Sequence, residues 1–351
     1  MDFGTNYILI TGASGWLGKT FLDSLLNGME ECNDLKNPQK NLNITCLLRP
    51  NENIGLIKNS ENIDIVYGDI TNFEDCNNFM EGKKNALLFH CAGIIHPKKI
   101  KRFYEVNVGG IENLLEASIK NGIKKIVAIS SNSPCGTNPN NKHLFDENSD
   151  FNPYLNYGKS KMLMEKLIIK HSKIGNIQST IIRPPWFYGP HQPQRQIRFY
   201  KMIKDGKVPI VGNGLNKRSM ACTINISQAM IKAGMLQKAN GNTYWIADKT
   251  SYTFNEIIDT IRKVMKYEFG FLCKNKHIKI PWIFGEIAYI LDKTIQSFGF
   301  YNKEIHVLSE MNKTIACSID KARIELDYKP TIDLYQGTYL SIKSCLEEFS
   351  S

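Results

Sequence analysis

The first half of the chain alternates short apolar runs with longer stretches in which apolar residues recur every three or four positions. Each short run suits a strand buried on both faces, and each longer stretch has the period of an amphipathic helix. The predicted strands are residues 7–11, 44–48, 63–69, 86–93, 126–131 and 179–184. Strands that alternate this regularly with helices predict an α/β protein with a parallel, doubly wound sheet.

Three glycines at a spacing of three follow the first strand: Gly12, Gly15 and Gly18. Gly12 permits a tight turn, Gly15 lets the backbone approach a pyrophosphate, and Gly18 lets the next helix pack close to the strand. The amides at the start of that helix attract an anion. The turn therefore predicts a dinucleotide-binding domain of the Rossmann type.

The pattern changes after residue 183, where loops rich in Pro and Gly separate the helical stretches and one further strand-like run spans residues 243–247. We predict that the dinucleotide-binding domain covers residues 1–183 and is rejoined by residues 220–248 or so. Residues 184–219 and 249–351 are predicted to form a smaller C-terminal region that covers the substrate.

One helical stretch in this second region, residues 281–300, is strongly apolar. Its charged residues Glu286, Asp292 and Lys293 argue against a membrane span. We predict a packed amphipathic helix there. Peripheral contact with a membrane surface is the less favoured alternative.

Composition narrows the function classes. The 351 residues carry a net charge of +10, and nine cysteines are scattered without a CxxC pair. The scattered cysteines argue against a disulfide framework or a metal site. The first apolar run is too short for a signal peptide, so we predict a cytoplasmic protein. The basic cluster at residues 98–102 lacks interleaved aromatics, so it predicts a solvated face rather than nucleic-acid binding, and attraction for phosphorylated substrates is the simpler interpretation.

Two strand ends bear on the cofactor. Arg49 ends the second strand, where an acid takes both ribose hydroxyls of NAD and an arginine accommodates the 2′-phosphate of NADP. Arg49 therefore favours NADP over NAD, with an exposed loop arginine before Pro50 as the alternative. Ala92 and Gly93 end the fourth strand, and such small residues let a flat ring lie against the backbone.

The candidate catalytic residues are Tyr157, Lys161 and Ser131. Tyr157 and Lys161 lie four residues apart, so they share one face of a helix. A nearby ammonium stabilises a phenolate and lowers the pKa of the phenol, which can then exchange a proton with a substrate hydroxyl or carbonyl. Ser131 ends the fifth strand, at the sheet edge where ligands bind, although a serine there also suits a turn.

Taken together, these motifs resemble the NAD(P)-dependent epimerase/dehydratase family of extended short-chain dehydrogenases/reductases. The matching segments run nearly end to end: Thr11–Gly18 (TGASGWLG), Gly68 and Asp69, Ala92 and Gly93, Asn107 in VNVGGIENLLEA, Ser131, Tyr157 with Lys161, 183–190 (RPPWFYGP) and 326–330 (LDYKP). The resemblance implies that Asp69 bonds the adenine amine, that Lys161 also holds the nicotinamide ribose, and that Asn107 supports the active-site water and backbone.

The resemblance also implies the site as a whole. The implied catalytic residues are Ser131, Tyr157, Lys161 and Asn107. The implied cofactor-binding residues are Gly12, Ser14, Gly15, Trp16, Leu17, Gly18, Arg49, Asp69, Ile70, Ala92, Gly93, Tyr157, Lys161 and Pro184. The implied substrate residues are Ser133, Trp186 and Arg218.

Two substrate positions conflict. Trp186 stands where many nucleotide-sugar enzymes of the family have an asparagine, which weakens a sugar-nucleotide assignment. Arg218 keeps the spacing of the family's GxGxxxR, whose arginine binds the substrate diphosphate, although an arginine in a surface loop is the alternative.

We predict an NAD(P)-dependent oxidoreductase or epimerase that transfers hydride at a hydroxyl or keto carbon of a nucleotide-activated sugar. The alternative is an NADPH-dependent ketoreductase or 3β-hydroxysteroid-dehydrogenase-like enzyme with an apolar substrate. A non-catalytic NAD(P)-binding protein is less favoured because the catalytic residues are intact. Family members commonly dimerise through helices such as those predicted at 103–121 and 157–171, so a homodimer is expected.

Overall fold

The structure, a computed structural model, describes residues 1–52, 55 and 62–349. Within these residues, the central sheet has seven strands: β1 (Tyr7–Thr11), β2 (Asn43–Leu48), β3 (Ile63–Tyr67), β4 (Leu87–His90), β5 (Lys125–Ile129), β6 (Gln178–Arg183) and β10 (Asn242–Trp245). Their order is β10-β6-β5-β4-β1-β2-β3, and each neighbouring pair is parallel. This confirms the predicted doubly wound sheet.

Helices cover both faces of the sheet, which is why its central strands β1, β4 and β5 are largely apolar. The helices on one face are α1 (Trp16–Asn27), α7 (Thr223–Met235) and α11 (Asp320–Glu325). Those on the other are α2 (Phe73–Met80), α4 (Gly110–Lys120) and α5 (Leu155–Lys173). Each face encloses its own hydrophobic cluster, so the sheet is a rigid platform for the loops at its carboxyl edge.

The strand order reverses between β1 and β4, and ligands bind at such a reversal in open α/β sheets. The ends of the two strands are joined there by a buried hydrogen bond of 2.8 Å between Thr11 Oγ1 and His90 Nδ1. The glycine turn after β1 and the small residues after β4 therefore open into one crevice.

The helix predicted at 103–121 is interrupted. It consists of α3 (Lys101–Tyr104), a π-helical turn (Glu105–Gly109) and α4. On the π-helical turn Asn107 is buried, whereas the flanking apolar residues Val106 and Val108 are only half-buried. Such π turns often occur at functional sites.

The second region contains small sheets and five further helices among the described residues. Its strands are β7 (Trp186–Tyr188), β8 (Pro209–Val211), β9 (Lys217–Cys222), β11 (Ser251–Thr253) and β12 (Ile278–Ile280). Its helices are α6 (Gln194–Lys204), α8 (Phe254–Phe269), α9 (Ile283–Ser297), α10 (Lys303–Glu310) and α12 (Leu334–Lys343). A separate hydrophobic cluster joins α6, α8 and α12. The domain boundaries given above remain a prediction.

Helix α9 contradicts the expected packing of residues 281–300. Its buried residues are Gly285, Ala288, Asp292 and Gln296, whereas its large apolar side chains face solvent. The helix is amphipathic as predicted, but its polar side faces the protein. In the part of the chain that the structure describes, no helix combines the length and hydropathy that a membrane crossing requires.

Candidate functional site

The glycine turn has the geometry that its sequence predicts. Gly12 has φ +75°, and the amide of Gly15 donates to its carbonyl over 3.0 Å. A Cβ on Gly18 would lie 2.0 Å from that carbonyl oxygen, so helix α1 requires glycine there. Helix α1 begins after Gly15 with no side-chain cap and no acid in its first turn. Its free amides fit an anionic dinucleotide.

The two residues after Gly15 serve different purposes. Leu17 is buried in the core under the sheet, so the part of it that faces the crevice is its backbone. Trp16 instead extends toward the second region, where its indole N–H donates to the Pro190 carbonyl over 2.7 Å. Its ring lies edge-on to Phe187 at 6.0 Å. Trp16 thus bridges the glycine turn and the segment after β6.

Arg49 is paired with a residue that sequence reasoning did not consider. Its guanidinium donates to one carboxylate oxygen of Glu52, with Nε at 2.9 Å, and its side chain is 62% exposed. The other carboxylate oxygen of Glu52 accepts from Ser14 Oγ at 3.0 Å. Despite partial burial, these hydrogen bonds and the Arg49 charge lower the pKa of Glu52. A carboxylate therefore lies between Ser14 and Arg49.

The ends of β3 and β4 place the remaining cofactor candidates. Asp69 accepts from the Thr71 amide at 2.9 Å, and Ile70 is buried. Ala92 and Gly93 follow β4, and a Cβ on Gly93 would lie 3.3 Å from Asn107 Oδ1 and 4.0 Å from Lys161 Nζ. Gly93 thus brings the backbone close to the predicted catalytic residues.

Asn107 is buried on the π-helical turn, and its side chain forms hydrogen bonds to the loop after β4 and to helix α5. Its Oδ1 accepts from the Ile94 amide at 2.9 Å, and its Nδ2 donates to the Ile94 carbonyl at 3.1 Å and to Ser160 Oγ at 3.0 Å. It therefore fixes the loop after β4 against helix α5. This geometry fits a positioning residue.

Tyr157 and Ser131 meet at the carboxyl edge of the sheet. Tyr157 lies in the first turn of α5, and the Ser131 hydroxyl, which follows β5, is near enough to the phenol to oppose the rise in its pKa that burial causes. A Cβ on Gly158 would lie 2.4 Å from the Ser133 carbonyl, so glycine allows α5 to approach this loop. The hydroxyl of Ser133 lies 3.3 Å from that of Ser131. The structure therefore brings the predicted hydroxyls together.

Lys161 lies one turn further along α5 and is buried. Its ammonium donates to the Ile129 carbonyl over 2.8 Å. Burial lowers the pKa of Lys161 to about 8, although the Glu165 carboxylate opposes this. Burial also raises the pKa of Tyr157 to about 12, while its hydrogen bond to Ser131 and the charge of Arg195 lower it. The phenol of the free protein is thus neutral, and the expected lowering of its pKa by Lys161 is not found.

On the substrate side, Arg218 is buried on β9, so the surface-loop alternative is wrong. Its guanidinium lies 5.9 Å from the centre of the Trp186 ring and donates to the Glu310 carbonyl through Nη2. Among the described residues, its buried Nε has no hydrogen-bond partner. Trp186 packs on Phe254 at 6.2 Å, and Pro184 is buried between β6 and β7.

Arg195 and His96 also belong to this cleft and were not predicted. Arg195 lies over Trp16 at 5.9 Å. Burial lowers the pKa of His96 to about 3 and the charge of Arg195 lowers it further, while the same charge partly opposes the rise in the pKa of Tyr157. His96 Nδ1 lies 2.8 Å from the hydroxyl of Tyr301. Arg195 lies two residues after Pro193, the last proline of the loop that opens the second region, and that position is the signal that could have identified it.

A buried polar network lies beneath the cleft on α9 and α10. Asp292 is fully buried, and its carboxylate is 2.7 Å from His306 Nδ1 and accepts from Gln296 at 2.9 Å. Gln296 in turn accepts from the amide of Asn156, next to Tyr157, at 3.1 Å. Burial disfavours the His306 imidazolium, but the hydrogen bond to Asp292 and the carboxylates of Glu310 and Asp292 outweigh it, so the pKa of His306 is raised.

The glycine turn at a sheet reversal, with hydroxyl side chains at the adjoining edge, defines a dinucleotide-binding α/β protein. The sequence model of the NAD dependent epimerase/dehydratase family matches residues 8–247. The chain therefore belongs to this family, and it is an enzyme of the extended short-chain dehydrogenase/reductase type.

Relatives span two kinds of substrate. "Uncharacterized protein y4nL" of Sinorhizobium fredii is 42% identical over 98% of this chain and 96% of its own. An N-acetyl-alpha-D-glucosaminyl-diphospho-ditrans,octacis-undecaprenol 4-epimerase of Escherichia coli O157:H7 is 35% identical over 46% of this chain and 48% of its own. A 3beta-hydroxysteroid-dehydrogenase/decarboxylase of Arabidopsis thaliana is 25% identical over 87% of this chain and 71% of its own.

Solved structures share the fold. The UDP-glucuronic acid 4-epimerase of Bacillus cereus in complex with NAD has a TM-score of 0.74 and 20% identity, over 97% of this chain and 99% of its own. The DesIV dTDP-glucose 4,6-dehydratase of Streptomyces venezuelae, with NAD and TYD bound, has a TM-score of 0.74 and 19% identity, over 97% of both chains. Proteins of this fold thus bind NAD.

Proposed function

We propose that the protein is an NAD-dependent epimerase or oxidoreductase that acts at a hydroxyl or keto carbon of a diphosphate-linked sugar. The observation that carries this proposal is the position of Tyr157 beside Ser131 at the crevice edge, one helical turn from Lys161. Family membership gives the reaction class, and the cleft residues give the substrate chemistry.

In this proposal, Tyr157 exchanges a proton with the substrate oxygen. Ser131 donates a hydrogen bond to the phenol, and both hydroxyl groups contact the substrate oxygen. The proton therefore moves between neighbouring oxygens. When bound, the nicotinamide supplies the hydride acceptor and donor. Lys161 lies close enough to Gly93 to hold a ribose there and to stabilise the phenolate once it forms.

Two arginines in the cleft favour an anionic substrate over a neutral one. Arg218 is buried with one N–H group unpaired among the described residues, and a buried polar group of this kind is costly unless a ligand satisfies it. Arg195 adds a second guanidinium on the Tyr157 side of the cleft. Guanidinium groups bind phosphate oxygens in bidentate geometry, so a diphosphate fits this pair.

For the cofactor, Arg49 alone favours NADP, but Glu52 changes that inference. Its carboxylate already neutralises Arg49 and occupies the space between Arg49 and Ser14. A 2′-phosphate would be repelled there, whereas ribose hydroxyls can donate to a carboxylate. We therefore propose NAD as the preferred cofactor.

The test of this function is Tyr157→Phe. We expect the variant to fold and to bind NAD like the wild type but to lose turnover about 10²-fold or more, which is the usual contribution of general acid–base catalysis. Turnover is measured by chromatography of UDP-sugars and polyprenyl-diphosphate sugars after incubation, and NAD binding by calorimetry. Tyr267→Phe, at an exposed position, is the matched control. Turnover by Tyr157→Phe within twofold of wild type contradicts the proposal.

A second candidate function is a reductase or dehydrogenase for an apolar alcohol or ketone. The cluster of Trp186, Phe199 and Phe254 beside the cleft favours it, as does the similarity to the Arabidopsis steroid dehydrogenase. Steroid and aliphatic ketones belong in the same substrate screen, with NADH and NADPH oxidation as the readout.

A further inference from the structure

Helix α9 presents an apolar stripe to solvent. On its outer side lie the following residues: Ile283, Phe284, Ile287, Ile290 and Leu291. Trp282 precedes the helix and Phe298 follows it, 60% and 75% exposed respectively. Within the helix, successive members lie one or three positions apart, so they form one continuous face.

The residues on the opposite, inner side of α9 explain why its apolar side faces solvent. Asp292 and Gln296 point inward to the network beneath the cleft, and rotating the apolar side of the helix inward would remove Asp292 from His306, leaving that buried imidazole without its hydrogen bond. Glu286 is paired with Lys313, and the other acid of the helix, Asp292, is buried. The outer face therefore carries little negative charge.

Basic residues flank the same face. The segment Gly299–Tyr301, which follows the helix, exchanges backbone hydrogen bonds with Lys98 and Ile100, and Lys99 pairs with Phe300. Lys98, Lys99 and Lys293 are exposed, and none of them forms an ion pair within the described part of the chain. Part of the basic cluster predicted to be a plain solvated face thus lies beside exposed Phe298 and Phe300.

We propose that this face of α9, with Lys98 and Lys99, docks the protein onto an anionic lipid bilayer. An amphipathic helix with aromatic and aliphatic side chains on one side and lysines at its border has the chemistry of a segment that lies in the interface plane. The overall charge of +10 attracts the protein to the same surface.

Docking would also orient the cleft. The inner side of α9 bonds Asn156, which precedes Tyr157, so the bilayer would lie one helix away from the catalytic residues. A sugar diphosphate on a lipid chain could then enter the cleft without leaving the membrane. This consequence rests on the proposed function, whereas the docking itself requires no turnover.

The experiment is flotation of the purified protein with vesicles of phosphatidylglycerol and phosphatidylcholine, compared with vesicles of phosphatidylcholine alone. We expect the protein to float with the anionic vesicles and high salt to weaken this binding. Ile287→Ser/Ile290→Ser should reduce the bound fraction about tenfold or more. Lys98→Gln/Lys99→Gln should reduce binding to anionic vesicles about tenfold or more, because each lysine near such a surface contributes to affinity.

The matched control is Ile174→Ser/Ile324→Ser, which removes two exposed isoleucines outside α9 and should float like the wild type. The fluorescence of Trp282 gives a direct readout, since contact with lipid shifts its emission to shorter wavelength, and Trp282→Phe should abolish this change. Failure of the wild type to float overturns the proposal, as does equal loss in the control. Concentration-dependent dimerisation that Ile287→Ser/Ile290→Ser abolishes, without flotation, would instead identify a second copy of the chain as the occupant.

Discussion

The two halves of the molecule distribute polarity in opposite ways. In the sheet half, apolar strands such as β5 are buried on both faces and polar side chains gather at the carboxyl edge. In the α9–α10 pair, carboxylate, imidazole and amide groups form the interior and isoleucine faces solvent. The sheet half is stabilised by burial, whereas the helix pair retains a polar interior that supports the cleft.

The largest expected effect is on the free energy of unfolding, and it is seen by making the same substitution, Ile→Ser, in each half of the molecule. Ile126→Ser, in β5, removes a fully buried side chain and leaves an unpaired hydroxyl, so we expect a loss of about 4 kcal/mol in the free energy of unfolding. Ile290→Ser, at a site that is 63% exposed, should change it by less than about 0.5 kcal/mol. Urea denaturation measures both. Similar losses in the two variants would mean that the α9 face is part of the packed core.

The cofactor edge of the sheet half gives an intermediate effect. Glu52→Gln removes the negative charge between Ser14 and Arg49, so the affinity for NADP relative to NAD should rise about tenfold, or about 1.4 kcal/mol. Calorimetric titration with each dinucleotide measures the ratio. Glu30→Gln, the same change at an exposed position, is the control. An unchanged ratio would exclude Glu52 as a determinant of preference.

The smallest expected effect is a change in Tm on substituting His306 in the α9–α10 pair, and its size should depend on pH. Because the pKa of His306 is raised in the folded protein, its contribution to stability is present below the ordinary pKa of histidine, near 6.5, and is lost as pH rises through the raised value. His306→Gln should therefore lower Tm more at pH 6 than at pH 9, by roughly 2 °C. A difference that stays constant, or grows toward pH 9, would show that the imidazolium does not stabilise the pair.

Local patterns predicted the sheet half well. The glycine spacing predicts the turn at Gly12, and the four-residue interval between Tyr157 and Lys161 predicts a shared helix face; both are features of backbone geometry within a few residues. The parallel, doubly wound sheet and the family were also predicted from such local patterns. Sequence reasoning was reliable where neighbours in the chain are neighbours in space.

The second region depends on contacts that no local pattern contains. His306 lies fourteen residues from Asp292 on a different helix, and Arg218 is buried by groups as distant as Glu310. The period of residues 283–297 predicts an amphipathic helix, but which side faces the protein depends on the partners of Asp292 and Gln296. Near the cofactor, Glu52 was overlooked because its link to Ser14 spans 38 positions.

The hydrogen bond from the Trp16 indole to the Pro190 carbonyl joins residues 174 positions apart across the cofactor crevice. A dinucleotide held against the amides of α1 would lie behind this bridge, so its release would require the bridge to open. Such a barrier slows dissociation of the cofactor without adding contacts to the bound state. The cofactor then stays bound for longer without binding more tightly. An epimerase that returns each hydride to its own substrate benefits from this arrangement, because one cofactor molecule then serves many catalytic cycles.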